Sequence, residues 1–121
     1  MITAKRKFGD KGEQAVAQFL TERHFTLLAR NYQTRLGEID IIASKGEVVA
    51  FIEVKTRKSV YFPISNTITI TKQRRITRAA TSFILKNNIK NKVLRFDVAS
   101  VIQKTPELYS ITIIENAFTK R

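Results

Sequence analysis

Asp40, Glu53 and Lys55 are the residues around which this sequence can build chemistry. Side chains alternate along a strand, so Glu38 and Asp40 share one face of the apolar stretch 37–43, and Phe51, Glu53 and Lys55 share one face of 48–56. Ser44-Lys45-Gly46-Glu47 between them reads as a hairpin turn. A four-residue turn pairing Ala43 with Val48 predicts Glu38 opposite Glu53 and Asp40 opposite Phe51, with Asp40 diagonal to Glu53 at about 7–8 Å between backbones. Three acids and a lysine then converge on one patch. Like charges opposed across a sheet are destabilising unless a proton or a cation lies between them, and a divalent metal resolves the conflict. Carboxylate oxygens without His or Cys select a hard cation, Mg²⁺ with Mn²⁺ as its substitute. That is the chemistry of phosphodiester hydrolysis: the ion lowers the pKa of a bound water and polarises the phosphoryl group, while Lys55 orients the water or stabilises developing charge. Alone, Glu53-Val54-Lys55 reads more readily as an ordinary ion pair at a sheet end. Its join to Asp40 across one turn, leading into Thr56-Arg57-Lys58, makes the constellation more specific.

Positioning these residues requires a covered sheet. The strands 37–43 and 48–56 are nearly continuous apolar runs, as expected of a sheet centre buried on both faces, so helices must pack on it. Ala15, Val16, Phe19 and Leu20 mark a first helix from about Asp10 to Arg23, followed by an extended stretch 25–32. Ile76, Ala79, Ala80, Phe83 and Ile84 mark a second helix from about Lys72 to Lys86, whose outer face carries Arg74, Arg75 and Arg78. Val93 to Ile102 and Leu108 to Ile114 read as closing strands broken at Pro106. The stretch Ser59 to Thr71, with Pro63, fits an edge strand or an irregular loop. The order is α-β-β-β-α-β-β in one layered α/β domain spanning 1–121.

Composition sets the partner class. Among 121 residues, 22 Lys and Arg face 10 Asp and Glu, a formal charge of +12 that calls for a polyanion. The absence of cysteine excludes disulfides and thiolate metal sites and suits a reducing cytoplasm. The one histidine, His24, forms no His-based zinc site or triad and reads as a surface residue. No apolar run approaches the roughly 20 residues of a membrane span, and the N-terminal residues lack the core of a signal peptide. The expectation is a cytoplasmic protein that does not engage membrane.

The segments Gly9-Asp10-Lys11-Gly12-Glu13, Gly37-Glu38-Ile39-Asp40-Ile41-Ile42-Ala43, Phe51-Ile52-Glu53-Val54-Lys55-Thr56-Arg57 and Arg95-Phe96-Asp97-Val98 resemble the YraN-like family over nearly the whole chain. That family is similar to Holliday junction resolvases within the PD-(D/E)XK nuclease-like superfamily. The resemblance implies a restriction-endonuclease-like core, a mixed central sheet flanked by helices. It assigns the metal-binding Asp to Asp40, the second acid to Glu53, the lysine to Lys55 and the first-helix acid to Glu13, so that Glu13, Asp40 and Glu53 form the metal set. Helical geometry tolerates this for Glu13, which flanks the buried edge of Val16 and Leu20; a solvated first-turn glutamate is the alternative. Gln73 matches a polar residue at the start of the second core helix and is expected to reach the site or cap a strand end. Ile39 stands where the superfamily's name-giving Pro would be, and 60–71 lacks the expected glycine. Asp97 reads as structural, bonding a nearby amide or an Arg, with Arg95, Lys90 and Lys92 as a solvated basic turn.

Two functions follow as expectations. One is a Mg²⁺-dependent endonuclease cutting DNA, including branched or structured DNA, through Glu13, Asp40, Glu53, Lys55 and Gln73. The other is a non-catalytic nucleic-acid-binding protein on the same fold. In both, Arg57, Lys58, Lys72, Arg74, Arg75 and Arg78 bind backbone phosphates. The resemblance to resolvases makes a homodimer a further expectation, with Tyr61, Phe62 and Phe118 as interface candidates.

Overall fold

In a computed structural model, which describes residues 3–58 and 68–119 apart from the side chains of Lys5 and Lys7, the elements run α1 (Ala4–Glu22), β1 (Thr26–Gln33), β2 (Glu38–Lys45), β3 (Val48–Arg57), α2 (Ile70–Lys86), β4 (Val93–Thr105) and β5 (Leu108–Phe118). The expected α-β-β-β-α-β-β order holds. The five strands form one mixed sheet in the order β1-β2-β3-β4-β5, with β3 parallel to β4 and every other pair antiparallel. A parallel pair needs a crossover, and α2 supplies it.

The sheet separates two apolar clusters. Val16, Ala17 and Leu20 of α1 pack with Ile41, Ala43, Ala50, Ile52, Ala99 and Val101 on one face. Ile76, Ala79, Ala80 and Phe83 of α2 pack with Ile42, Phe51, Phe96 and Val98 on the other. This explains the unbroken apolar runs of β2 and β3: alternate residues serve opposite cores.

Three expectations require correction. Helix α1 begins six residues before Asp10 because Thr3 caps it, its hydroxyl accepting the Arg6 amide at 3.1 Å, and the helix runs through Gly9 and Gly12. Gly12 marks a close approach, since a Cβ there would collide with the Thr56 side chain on β3. The β2–β3 turn has two residues, not four: Lys45 pairs with Val48, Ser44 with Val49 and Ala43 with Ala50, because Gly46 takes the positive φ of 58° that a tight hairpin demands. The register therefore shifts by two, which preserves the faces but places Asp40 rather than Glu38 across from Glu53. Third, Phe118 is no interface candidate; it is buried and stacks on Phe96 with ring centroids 5.2 Å apart. Tyr61, Phe62 and Pro63 lie outside the described residues, as does most of the stretch 59–71; its end supplies buried Ile68 and the α2 cap Thr69. His24 is exposed and ends α1 in the left-handed region, φ 69°, as a surface residue should.

Candidate metal centre and nucleic-acid face

The β2–β3 ladder pairs Ile41 with Ile52 and goes no further toward the Asp40 end. Beyond that point the strands part, and the Asp40 carboxylate takes over: its Oδ2 accepts the Val54 amide at 2.8 Å. Strict alternation also breaks here, since Ile39 and Ile42 both lie in the α2-side cluster.

Glu53 approaches it from β3, only 4% exposed. Burial first, then a hydrogen bond to Asp40 and the Asp40 charge, push the Glu53 carboxyl up to about 8, against the lowering pull of Lys72 and Lys55. Glu53 thus favours its protonated form near neutrality. Glu13 approaches from α1. Burial, followed by the charge of Asp40, pushes its carboxyl up to about 7, with Arg30 opposing and Asp10 and Glu38 adding smaller pushes. Asp40 is the common neighbour of the two glutamates.

Two oxygens of this group, Glu13 Oε1 and Glu53 Oε2, are buried without a hydrogen-bond partner. Lys72 Nζ reaches Glu53 Oε2 at 3.2 Å as an ion pair and lies 4.0 Å from Glu38. Among the described residues, no three His, Cys, Asp or Glu side chains close around a single point. Magnesium does not require that, since it commonly binds through one or two carboxylates and retains waters. The all-oxygen donor set and the unpartnered, buried Glu13 Oε1 fit a hard divalent cation, and Asp40 and Glu53, with Glu13 beside them, are the residues that would hold it.

The remaining candidates separate. Lys55 follows Glu53 along β3, half-buried and close enough to lower its proton affinity. Gln73 caps locally, its Nε2 donating to the Ile68 carbonyl at 3.0 Å. Arg74, Arg75 and Arg78 are exposed on α2, Lys58 is exposed after β3, and Arg57 is partly buried. Lys72, expected among the phosphate ligands, turns its ammonium into the acid cluster. The signal was legible: Lys72 lies four residues before buried Ile76, on the same helix stripe. Asp97 is structural as expected, 1% exposed, accepting the Asn116 amide at 2.9 Å and Arg95 Nε at 3.0 and 3.1 Å. Arg95 is therefore a paired residue rather than part of a solvated turn, while Lys92 lies 3.9 Å from Glu47 at the surface.

A five-stranded mixed sheet with one helix on each face, and acids gathered where two central strands part, is an α/β architecture consistent with a nuclease-like core. The chain belongs to the uncharacterised protein family UPF0102, the YraN family, whose model matches residues 12–101. It is similar to UPF0102 proteins from Caldicellulosiruptor saccharolyticus, 42% identical over 94% of this chain and 98% of the relative, and Alkaliphilus metalliredigens, 40% identical over 93% and 98%. A third, from Clostridium botulinum, is 41% identical over 98% of both chains. The matched span contains Glu13, Asp40, Glu53, Lys55 and Gln73. No helix among the described residues is long and apolar enough to cross a membrane.

Proposed function

We propose that this protein is a Mg²⁺-dependent endonuclease acting on DNA phosphodiester bonds, branched or structured DNA included. The observation that carries the reading is the gathering of Glu13 and Glu53 around Asp40, with Glu13 Oε1 buried and without a hydrogen-bond partner, in a protein otherwise rich in cations. A bound Mg²⁺ or Mn²⁺ would supply a water of lowered pKa and a Lewis acid for the phosphoryl oxygen. Asp40 and Glu53 stand at the strand splay as the carboxyl groups that would hold the ion, Glu13 supports them from α1, and Lys55 is the cation available to developing negative charge. Gln73 positions the start of α2 through its Ile68 bond.

The ion pair of Lys72 with Glu53 favours a second reading, because an internal ammonium already offsets the buried acid. On that reading the protein binds nucleic acid without turnover. Cleavage of branched and linear DNA by the purified protein, with and without Mg²⁺ or Mn²⁺, separates the two. The nuclease predicts metal-dependent cleavage that falls at least about a hundredfold in Asp40→Ala and Lys55→Ala. Equal background in wild type and both variants, with binding intact, leaves only the binding module.

A further inference from the structure

Beside the acid cluster runs a groove of about 820 Å³ between the β1–β2 turn and α2, lined by Gln33, Thr34, Arg35, Leu36, Arg78, Ser82 and Lys86. Its charged lining is entirely cationic. Arg35, Arg78 and Lys86 are exposed, and among the described residues none of them meets a carboxylate within ion-pair distance. A groove that collects three uncompensated cations and no acid costs self-repulsion unless an anion fills it.

The groove is also joined to the acid site. Gly37 packs so closely on the Arg75 carbonyl that a Cβ would not fit, which fixes the turn against α2. The next residue, Glu38, lies 4.0 Å from the Lys72 ammonium, and Lys72 contacts Glu53. Lys72, Arg75, Arg78, Ser82 and Lys86 follow one another at helical spacings of three or four along α2. At 1.5 Å per residue, Arg78 lies about 9 Å and Lys86 about 21 Å along the axis from Lys72. One strand of a duplex advances about 3.4 Å per nucleotide. The stripe therefore spans phosphates about three to six nucleotides from the position of Lys72.

We propose that this groove is the track for a nucleic-acid backbone entering the acid site, with Arg35, Arg78 and Lys86 as its phosphate ligands. The inference rests on the nucleic-acid reading above and deepens it by assigning the path on one side of the reacting bond. A lining with three cationic side chains and Leu36 as its one apolar side chain suits a phosphate backbone better than a lipid surface, which needs a bulky apolar face.

The test is the binding of fluorescent duplex DNA in EDTA, so that no cleavage intervenes, across a salt series. The triple variant R35A/R78A/K86A is compared with the charge-matched R23A/K45A/K104A, whose sites are exposed and off the α2 face. The groove triple should weaken binding at least about tenfold and lower the salt slope by about three, near one per lost phosphate contact. The control triple should lower it by less. Equal losses in both triples, with melting curves showing both folded, overturn the assignment, as does preferential loss of binding to anionic lipid vesicles. Wild-type binding without metal-dependent cleavage sinks the nuclease reading and leaves the groove standing, so the two failures are distinguishable.

Discussion

Glu53 shows how much one buried side chain can hold. Its folded pKa of about 8, and that of about 7 at Glu13, lie above the unfolded value of 4.5, so the folded chain binds protons more tightly than the unfolded one. The stability these groups contribute is complete below about pH 4.5 and is lost as pH rises through 7 and 8. Urea unfolding of metal-free protein should therefore show a fall across that window. Glu53→Gln, which keeps the shape and removes the charge, should flatten the fall and gain about 1–3 kcal/mol at pH 8. A Gln variant less stable than wild type at that pH would mean Glu53 is already fully compensated there. The conflict of acids was legible in the residue types of Asp40, Glu53 and Lys55. Which acid faced which was not, because the pairing hung on whether Gly46 opened a two-residue or a four-residue turn.

At the scale of elements, the sequence carried the sheet centre and both helices in their apolar periodicity. It concealed what depends on close approach. The β1–β2 turn and α2 meet only because Gly37 has no side chain, and nothing local in the sequence announces that contact. Gly37→Ala must push the Arg75 backbone away and should cost about 1–3 kcal/mol in chemical denaturation. It should also loosen the groove, weakening DNA binding more than the loss of folded protein accounts for. A variant with wild-type stability would show that α2 is not seated there. The β4–β5 edge hides a second feature. Three β5 residues, 115–117, oppose the single β4 residue Asp97, and its carboxylate anchors the irregularity through the Asn116 amide. Asp97 was readable as a structural acid from its type and strand setting, but the bulge it serves was not.

For the whole molecule, the +12 charge and the few acids divide the labour. Asp10, Glu13, Glu38, Asp40 and Glu53 form one electrostatic neighbourhood, while Asp97 pairs internally with Arg95. A phosphate approaching Asp40 without a cation is repelled, so in EDTA the Asp40→Ala variant should bind DNA at least as tightly as wild type. Fluorescence anisotropy measures this directly. Weaker binding by the variant would show that Asp40 maintains the binding face rather than opposing the ligand. Composition alone pointed to a polyanion; the fold shows that part of the positive excess, Arg35, Arg78 and Lys86, lines one groove along α2.

The bond from the Val54 amide to Asp40 makes the sheet its own sensor. One carboxylate oxygen closes the backbone where the strands part, and the same carboxylate also bonds Glu53, so any ion polarising Asp40 must alter the electron density felt at that amide. The ¹⁵N resonance of Val54 should move as Mg²⁺ is titrated in, and Asp40→Asn should abolish the response. A Val54 signal that stays still while other resonances shift would place the ion elsewhere. A single main-chain nucleus in the central strand can thus report occupancy with no substrate and no turnover.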